Sequence, residues 1–275
     1  MSVVVGIDVG GSTTKIIGCK QKSGKKELTE PMLVEASDPL TSIYGAFGKF
    51  TSTHSLKISD IERIMVTGVG SSFLGDSLYS CPCTHLREFD CVGRGGLYQS
   101  GLNEAIVVSM GTGTALIYAS VEKGITYLGG TGVGGGTLLG LSRLMLGMED
   151  ISVISNLARE GDLSKIDLRV GDLTRPDGNL GLPPQMTAAN FGKVGDMVGK
   201  SDIALGIINM VFEVDAMLAI FSARQYGIRK IVLSGNLAGL AQSREVFDEL
   251  GKLFDVEFVI PPNAQYCTVV GAAIV

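Results

Sequence analysis

Apolar positions along the chain fall into two rounds of one pattern. In the first round, "VVVGID", "TKIIGC" and "EPMLVEA" are short apolar or alternating runs of the kind that forms strands. Apolar spacing from Leu40 to Phe50 then predicts a helix. A strand "IERIMVTG", a short helical piece near Phe73, a strand around His85 to Phe89 and a Gly-rich helix from Asp90 to Gly101 complete the round. The second round opens with "AIVVSMG", "TALIYAS" and "GITYLGG". It continues with helices over Thr137 to Leu146 and Asp202 to Tyr226, then "KIVLSG", a helix ending at Leu253, "VEFVI" and a last apolar segment "TVVGAAIV". Strands alternating with helices predict an α/β fold, and the repeated order predicts one unit used twice, residues 1–103 and 104–275. The polar stretch Asp162 to Asn190, with "TRPDGNLG" inside it, reads as a long excursion.

Composition narrows the class. With 275 residues, 45% hydrophobic and 19% charged, the chain can bury a sizeable core. Its net charge of −5 and lack of a basic run argue against nucleic acid or an anionic membrane as partner. The N-terminus enters a strand almost at once, with no signal-peptide pattern, which predicts a cytoplasmic protein. Five cysteines in a chain this long do not suggest a disulfide framework. The glycines, 38 in all, gather beside strand ends, where backbone must come close to a ligand.

Four of those glycine sites carry candidate chemistry. In "GIDVGGSTTK", Asp8 ends an apolar strand. Gly10 and Gly11 can turn with their N–H groups toward an anion, Ser12, Thr13 and Thr14 add hydroxyls, and Lys15 adds a charge for phosphate oxygens. Asp8 suits a hydrated Mg²⁺, which takes one carboxylate and keeps waters. No helix follows the glycines, so this is not a Walker A loop. A second turn, "SMGTGT", places Gly111, Thr112, Gly113 and Thr114 at the equivalent point of the second round. Two such hairpins fit two jaws on one polyphosphate. The third site, "GGTGVGGGTLLGL", runs into a helix, so Gly134, Gly135, Gly136, Thr137 and Leu138 are expected to offer unpaired amides to a nucleotide. In "IVLSGNLAG", Gly235 lies between a strand and a helix start, where backbone can receive an adenosine.

The order of these motifs resembles the actin-like, sugar-kinase-like ATPase superfamily. "REFDCVGRGGLY" and "DLTRPDGNLGLPPQMTAANFGKV" narrow the resemblance to type II pantothenate kinases, from Val4 to about Gly271. The resemblance implies two ribonuclease-H-like domains closing on MgATP and transfer of phosphate to pantothenate. That reaction gives 4'-phosphopantothenate, the first step toward coenzyme A, and the family is usually dimeric. It makes Glu88 the general base for the substrate's primary alcohol. Asp90 is then a partner to that base or a helix N-cap. Where the family commonly carries an arginine, this chain has Tyr127, so Arg94 or Arg87 is a candidate for the pantothenate carboxylate.

Two other readings remain open. One is an ATPase activator of the 2-hydroxyacyl-CoA dehydratase type, which would need iron–sulfur ligands. Cys81-Pro82-Cys83 lacks the usual two-residue spacing, and the cysteines read better as buried small hydrophobes. The other is a kinase for a sugar or another small hydroxylated acceptor. His54 and His85 are too far apart to form a constellation.

Overall fold

The structure is a computed structural model that describes residues 2–11, 13–22, 24–35, 38–174 and 183–275. Its first half runs β1 (Val3–Val9), β2 (Thr13–Lys22), β3 (Lys25–Leu28), β4 (Met32–Glu35), α1 (Pro39–Thr53), β5 (Ile61–Thr67), β6 (Ser77–Leu78), β7 (Cys81–His85) and α2 (Glu88–Ser100). The second half runs β8 (Glu104–Met110), β9 (Thr114–Ser120), β10 (Gly124–Thr131), α3 (Gly135–Leu146) and α4 (Ile151–Ala158). The excursion follows with β11 (Leu168–Arg169), α5 (Val170–Leu173) and β12 (Thr187–Ala189). The half ends with α6 (Lys200–Tyr226), β13 (Lys230–Ser234), α7 (Ser243–Phe254), β14 (Glu257–Val259) and α8 (Cys267–Ala273).

The two sheets repeat one topology. In the first, the strand order is β3-β2-β1-β5-β7, with β6 beyond β7 and β4 also on β2. In the second it is β10-β9-β8-β13-β14. In each, the first two strands form an antiparallel hairpin and the next two lie parallel to the first. Cross-strand register makes the equivalence residue by residue. Val9 faces Thr14 and Asp8 faces Lys15 in the first hairpin; Met110 faces Thr114 and Ser109 faces Ala115 in the second. The duplication expected from element order is present in the fold, which is that of the actin-like ATPases.

Glycine carries the same duplication. Gly68 follows β5 with φ +90°, and Gly235 follows β13 with φ +89°. A Cβ on Gly68 would stand 2.5 Å from the Val9 carbonyl oxygen, and one on Gly235 would stand 2.4 Å from that of Met110. Each glycine therefore lets the end of a parallel strand press onto the strand that leads into a Gly turn.

Cores form on the sheet faces. Ile7, Ile16, Phe47, Phe50 and Ile64 close the first sheet against α1. Ile207, Ile208, Phe212, Ile220 and Phe247 fill the second between α6, α7 and the strands. Among the described residues α6 is the one helix long and apolar enough to cross a membrane, and most of that apolar window is buried against its neighbours. The helix expected over Asp202 to Tyr226 is thus a buried core helix.

The last helix of each half packs on the other half's sheet. Val92 and Leu97 of α2 bury themselves with Val107, Ile117 and Val232. Val269, Val270 and Ala273 of α8 bury themselves with Ile17 and Cys19. The two helices cross so closely that a Cβ on Gly95 would stand 1.8 Å from the Cys267 carbonyl oxygen, and one on Gly271 equally close to that of Cys91.

Two expectations are corrected. The strand placed around His85 to Phe89 is β7, over Cys81–His85, and the helix begins at Glu88 rather than Asp90. Arg87 holds the N-cap position, so Asp90 is not the cap; its carboxylate accepts from the Arg87 guanidinium at 2.9 and 3.1 Å. Two helices were missed, α4 and the short α5 inside the excursion. Asp150 caps α4, accepting from the amides of Ser152 and Val153.

Candidate functional site

The first hairpin holds its turn by a bond from the Gly10 amide to the Thr13 carbonyl, 2.9 Å. Ser12 lies outside the described residues. Asp8 and Lys15 face each other across β1 and β2, with only 8% and 7% of their surfaces exposed. Burial pushes the Asp8 carboxyl up to about 6; Lys15 opposes that rise, and Glu88 adds to it. Burial likewise lowers the Lys15 ammonium, against the pull of Asp8, Cys267 and Glu88. Glu88, half-buried at the amino end of α2, is raised by burial and opposed by Lys15. Three ionisable side chains from β1, β2 and α2 thus share one electrostatic neighbourhood, with two carboxylates to one ammonium.

That surplus of negative charge suits a cation. Gly68 supplies the room, because a Cβ there would lie 2.7 Å from Asp8 Oδ1. One carboxylate with space beside it fits Mg²⁺, which keeps several waters. The second hairpin carries no such charges, since Ser109 and Ala115 stand where Asp8 and Lys15 stand in the first.

The second turn is braced by the Gly-rich segment. Gly111 N–H donates to Gly113 O at 2.9 Å, while the amides of Gly135 and Gly136 donate to the carbonyls of Gly111 and Thr112, both at 2.8 Å. The expectation of unpaired amides therefore fails at Gly135 and Gly136, whose N–H groups are engaged by the turn. Gly134 packs against Gly113, the Thr137 hydroxyl donates to Gly132 O at 2.9 Å, and the Leu138 side chain is in the core. Thr112 is exposed and Thr114 buried. Gly235 sits beside Met110 at the carboxyl end of β8.

Next to Glu88, Tyr127 of β10 stacks on Phe89, ring centroids 4.0 Å apart. The structure does not bring Arg94 to Glu88. Six residues further along α2, it is rotated by roughly 240°. There it lines a cavity of about 840 Å³ with Arg87, Leu97 and Ile125.

The "TAANFG" segment is held by two carboxylates, Glu213 of α6 and Asp167 just before β11. Thr187 and Asn190 donate to Glu213 at 2.6 and 2.7 Å, and the Phe191 amide donates to Asp167 at 2.8 Å. Sequence reasoning missed Asp167, Glu213, Gly68 and Asp215. The visible signal for the two helix acids was a charge at a position in an otherwise apolar helix.

Comparison with known structures places this arrangement in the actin-like ATPase fold class. Component A of the (R)-2-hydroxyglutaryl-CoA dehydratase of Acidaminococcus fermentans is similar with a TM-score of 0.70 at 21% identity, over 100% of this chain and 97% of that one. A ROK family glucokinase of Streptomyces griseus, solved with glucose and AMPPNP, is similar with a TM-score of 0.62 at 12% identity, over 99% and 98%. The family model described as Fumble matches residues 97–248, more than half of the chain. A type II pantothenate kinase of Bacillus cereus is 32% identical over 86% of this chain and 84% of its own length. One of Staphylococcus aureus is 30% identical over 84% of each. The chain belongs to the type II pantothenate kinase family.

Proposed function

We propose that the protein uses MgATP to phosphorylate the primary hydroxyl of pantothenate, giving 4'-phosphopantothenate. The observation that carries this reading is the grouping of Asp8, Lys15 and Glu88 beside the first Gly turn, with Lys15 acting on both carboxyls. Gly10 to Lys15 and Gly111 to Gly113 hold the phosphates from two sides, and Gly134 to Thr137 and Gly235 lie toward the nucleoside. Asp8 would hold the Mg²⁺, which supplies positive charge to the phosphate oxygens. Lys15 adds a second positive charge, one that burial leaves poorly solvated and so strongly felt. Glu88 accepts the proton of the attacking hydroxyl. A carboxylate raised by burial is a better base than one in water. The Phe89–Tyr127 pair forms an aromatic wall next to Glu88. The reading includes a cytoplasmic homodimer; light scattering on the purified protein tests the dimer, and cell fractionation tests the location.

An ADP-release assay tests the function. Pantothenate, pantetheine, N-acetyl sugars and no acceptor are compared. Release with pantothenate well above the blank is the expected result; release equal to the blank would remove the substrate assignment. Strong release with no acceptor would favour the ATPase-activator reading, which the shared fold with the dehydratase component supports. Burial pushes the Cys83 thiol up to about 11, a poor start for a thiolate ligand.

A further inference from the structure

Each hairpin is held from beneath by the helix that packs on its sheet. In the first half, Ser42 of α1 donates to Thr14 Oγ1 at 2.7 Å, and both residues are buried. In the second, Thr114 Oγ1 donates to Asp215 Oδ2 of α6 at 2.9 Å, across 101 residues of sequence. Thr14 and Thr114 are equivalent by register, so the two bonds are equivalent by fold. Their chemistry differs. In the first half a hydroxyl does the holding. In the second a carboxyl does it, at 0% exposure, with its Oδ1 bonded to no group among the described residues.

A buried carboxyl is a costly way to anchor a threonine that a serine anchors elsewhere in the same fold. A hydroxyl can donate or accept, whereas an ionised carboxylate only accepts. It therefore draws the Thr114 hydrogen down into the core, away from the cleft, and fixes the side chain in one direction. Thr114 also pairs with Met110 and Thr131, one on each side of β9. Its backbone therefore joins the turn at Gly111–Gly113 to the strand that leads into α3. Moving Thr114 moves the turn's height over the cleft and the carbonyls that receive the Gly135 and Gly136 amides.

We propose that Asp215 is a positioning residue for nucleotide binding, acting through Thr114, and that Thr114 supports the phosphate turn instead of touching phosphate. The inference rests on the reading that the nucleotide lies between the two hairpins. Its nearest partners add no competing charge: burial raises the Asp215 carboxyl, and the Thr114 hydroxyl opposes that rise.

The test is calorimetric titration of Mg–AMPPNP into the full-length protein and five variants: Thr114→Val, Thr114→Ser, Asp215→Ala, Asp215→Asn and the double variant Thr114→Val/Asp215→Ala. Thermal melts and kcat are measured alongside. Thr114→Val and Asp215→Ala are each expected to weaken AMPPNP about tenfold, with the double variant no weaker than either single one. Thr114→Ser and Asp215→Asn, which keep a donor and an acceptor, are expected to stay within about twofold of the parent. The loss is expected in KM for ATP and not in kcat. Full affinity in both disruptive variants, or losses that multiply in the double variant, would overturn the inference. So would a melting loss with unchanged affinity, which marks a structural contact only. If Asp215→Ala does not fold, Thr114→Val against Thr114→Ser decides alone. A parent protein that binds no AMPPNP would instead overturn the nucleotide reading itself.

Discussion

The rings of Phe89 and Tyr127 lie 4.0 Å apart and 6° from parallel, one residue beyond Glu88 on α2 and midway along β10. This stack ties the first turn of the helix that carries the candidate base to a strand of the second sheet. Such a pair contributes about 0.5–1.5 kcal/mol beyond its buried area. Tyr127→Ala is expected to lower the melting temperature slightly and to raise KM for the acceptor several-fold, with KM for ATP nearly unchanged. Steady-state kinetics with each substrate varied in turn checks this.

Glu88→Gln keeps the size of the side chain and removes its basicity. Turnover is expected to fall by roughly 100-fold or more, the usual contribution of a general base. Affinity for AMPPNP is expected to stay close to that of the parent, because the substitution leaves both hairpins intact. Single-turnover kinetics and titration measure the two separately.

Asp215 gives the stability of the ligand-free protein a pH dependence of definite sign. Its folded-state pKa is pushed up to about 7 by burial, against 3.8 in the unfolded chain. Between those values the folded protein holds a proton that the unfolded chain has released. Stability therefore falls as pH rises from about 4 to about 7 and levels off above it. A shift of this size corresponds to about 4 kcal/mol. Asp8, at about 6, acts in the same direction over a narrower range. Melts from about pH 5 to about pH 8 should show a shallower fall for Asp215→Asn than for the parent.

Gly235→Ala and Gly68→Ala test the close approach beneath the two Gly turns. Each adds a Cβ within 2.5 Å of a carbonyl oxygen, at a φ that alanine adopts only with strain. A loss of at least about 2 kcal/mol is expected from urea unfolding. Gly24→Ala is the control, since it has φ +77° and nothing within 4 Å of a Cβ. Its smaller loss measures backbone strain alone.

What the sequence revealed followed what its local chemistry encodes. The hairpin around Gly10 was legible because a strand ending in Asp8, two glycines and a strand opening with Thr13 form a local pattern. The twin at Gly111 was legible for the same reason. The strand expected around His85 to Phe89 was placed a few residues late; β7 runs over Cys81–His85 and contains Pro82, a residue that argues against a strand. Gly68 looked like any turn glycine. Its role depends on the carbonyl of Val9, which lies far away in the chain. Asp215 was hidden similarly, as one acid in an apolar helix whose meaning depends on Thr114. The amides of Gly135 and Gly136 seemed free because their acceptors, Gly111 and Thr112, are supplied by folding.

The crossing at Gly95 and Gly271 has a consequence for how the molecule can be divided. Cutting the polypeptide between the two sheets would leave each fragment with its terminal helix and without the one that covers its own strands. Neither piece would be a self-sufficient module. Co-expressed, the two would have to exchange helices to regain a shared interior, so reconstitution from fragments would be cooperative and all-or-none.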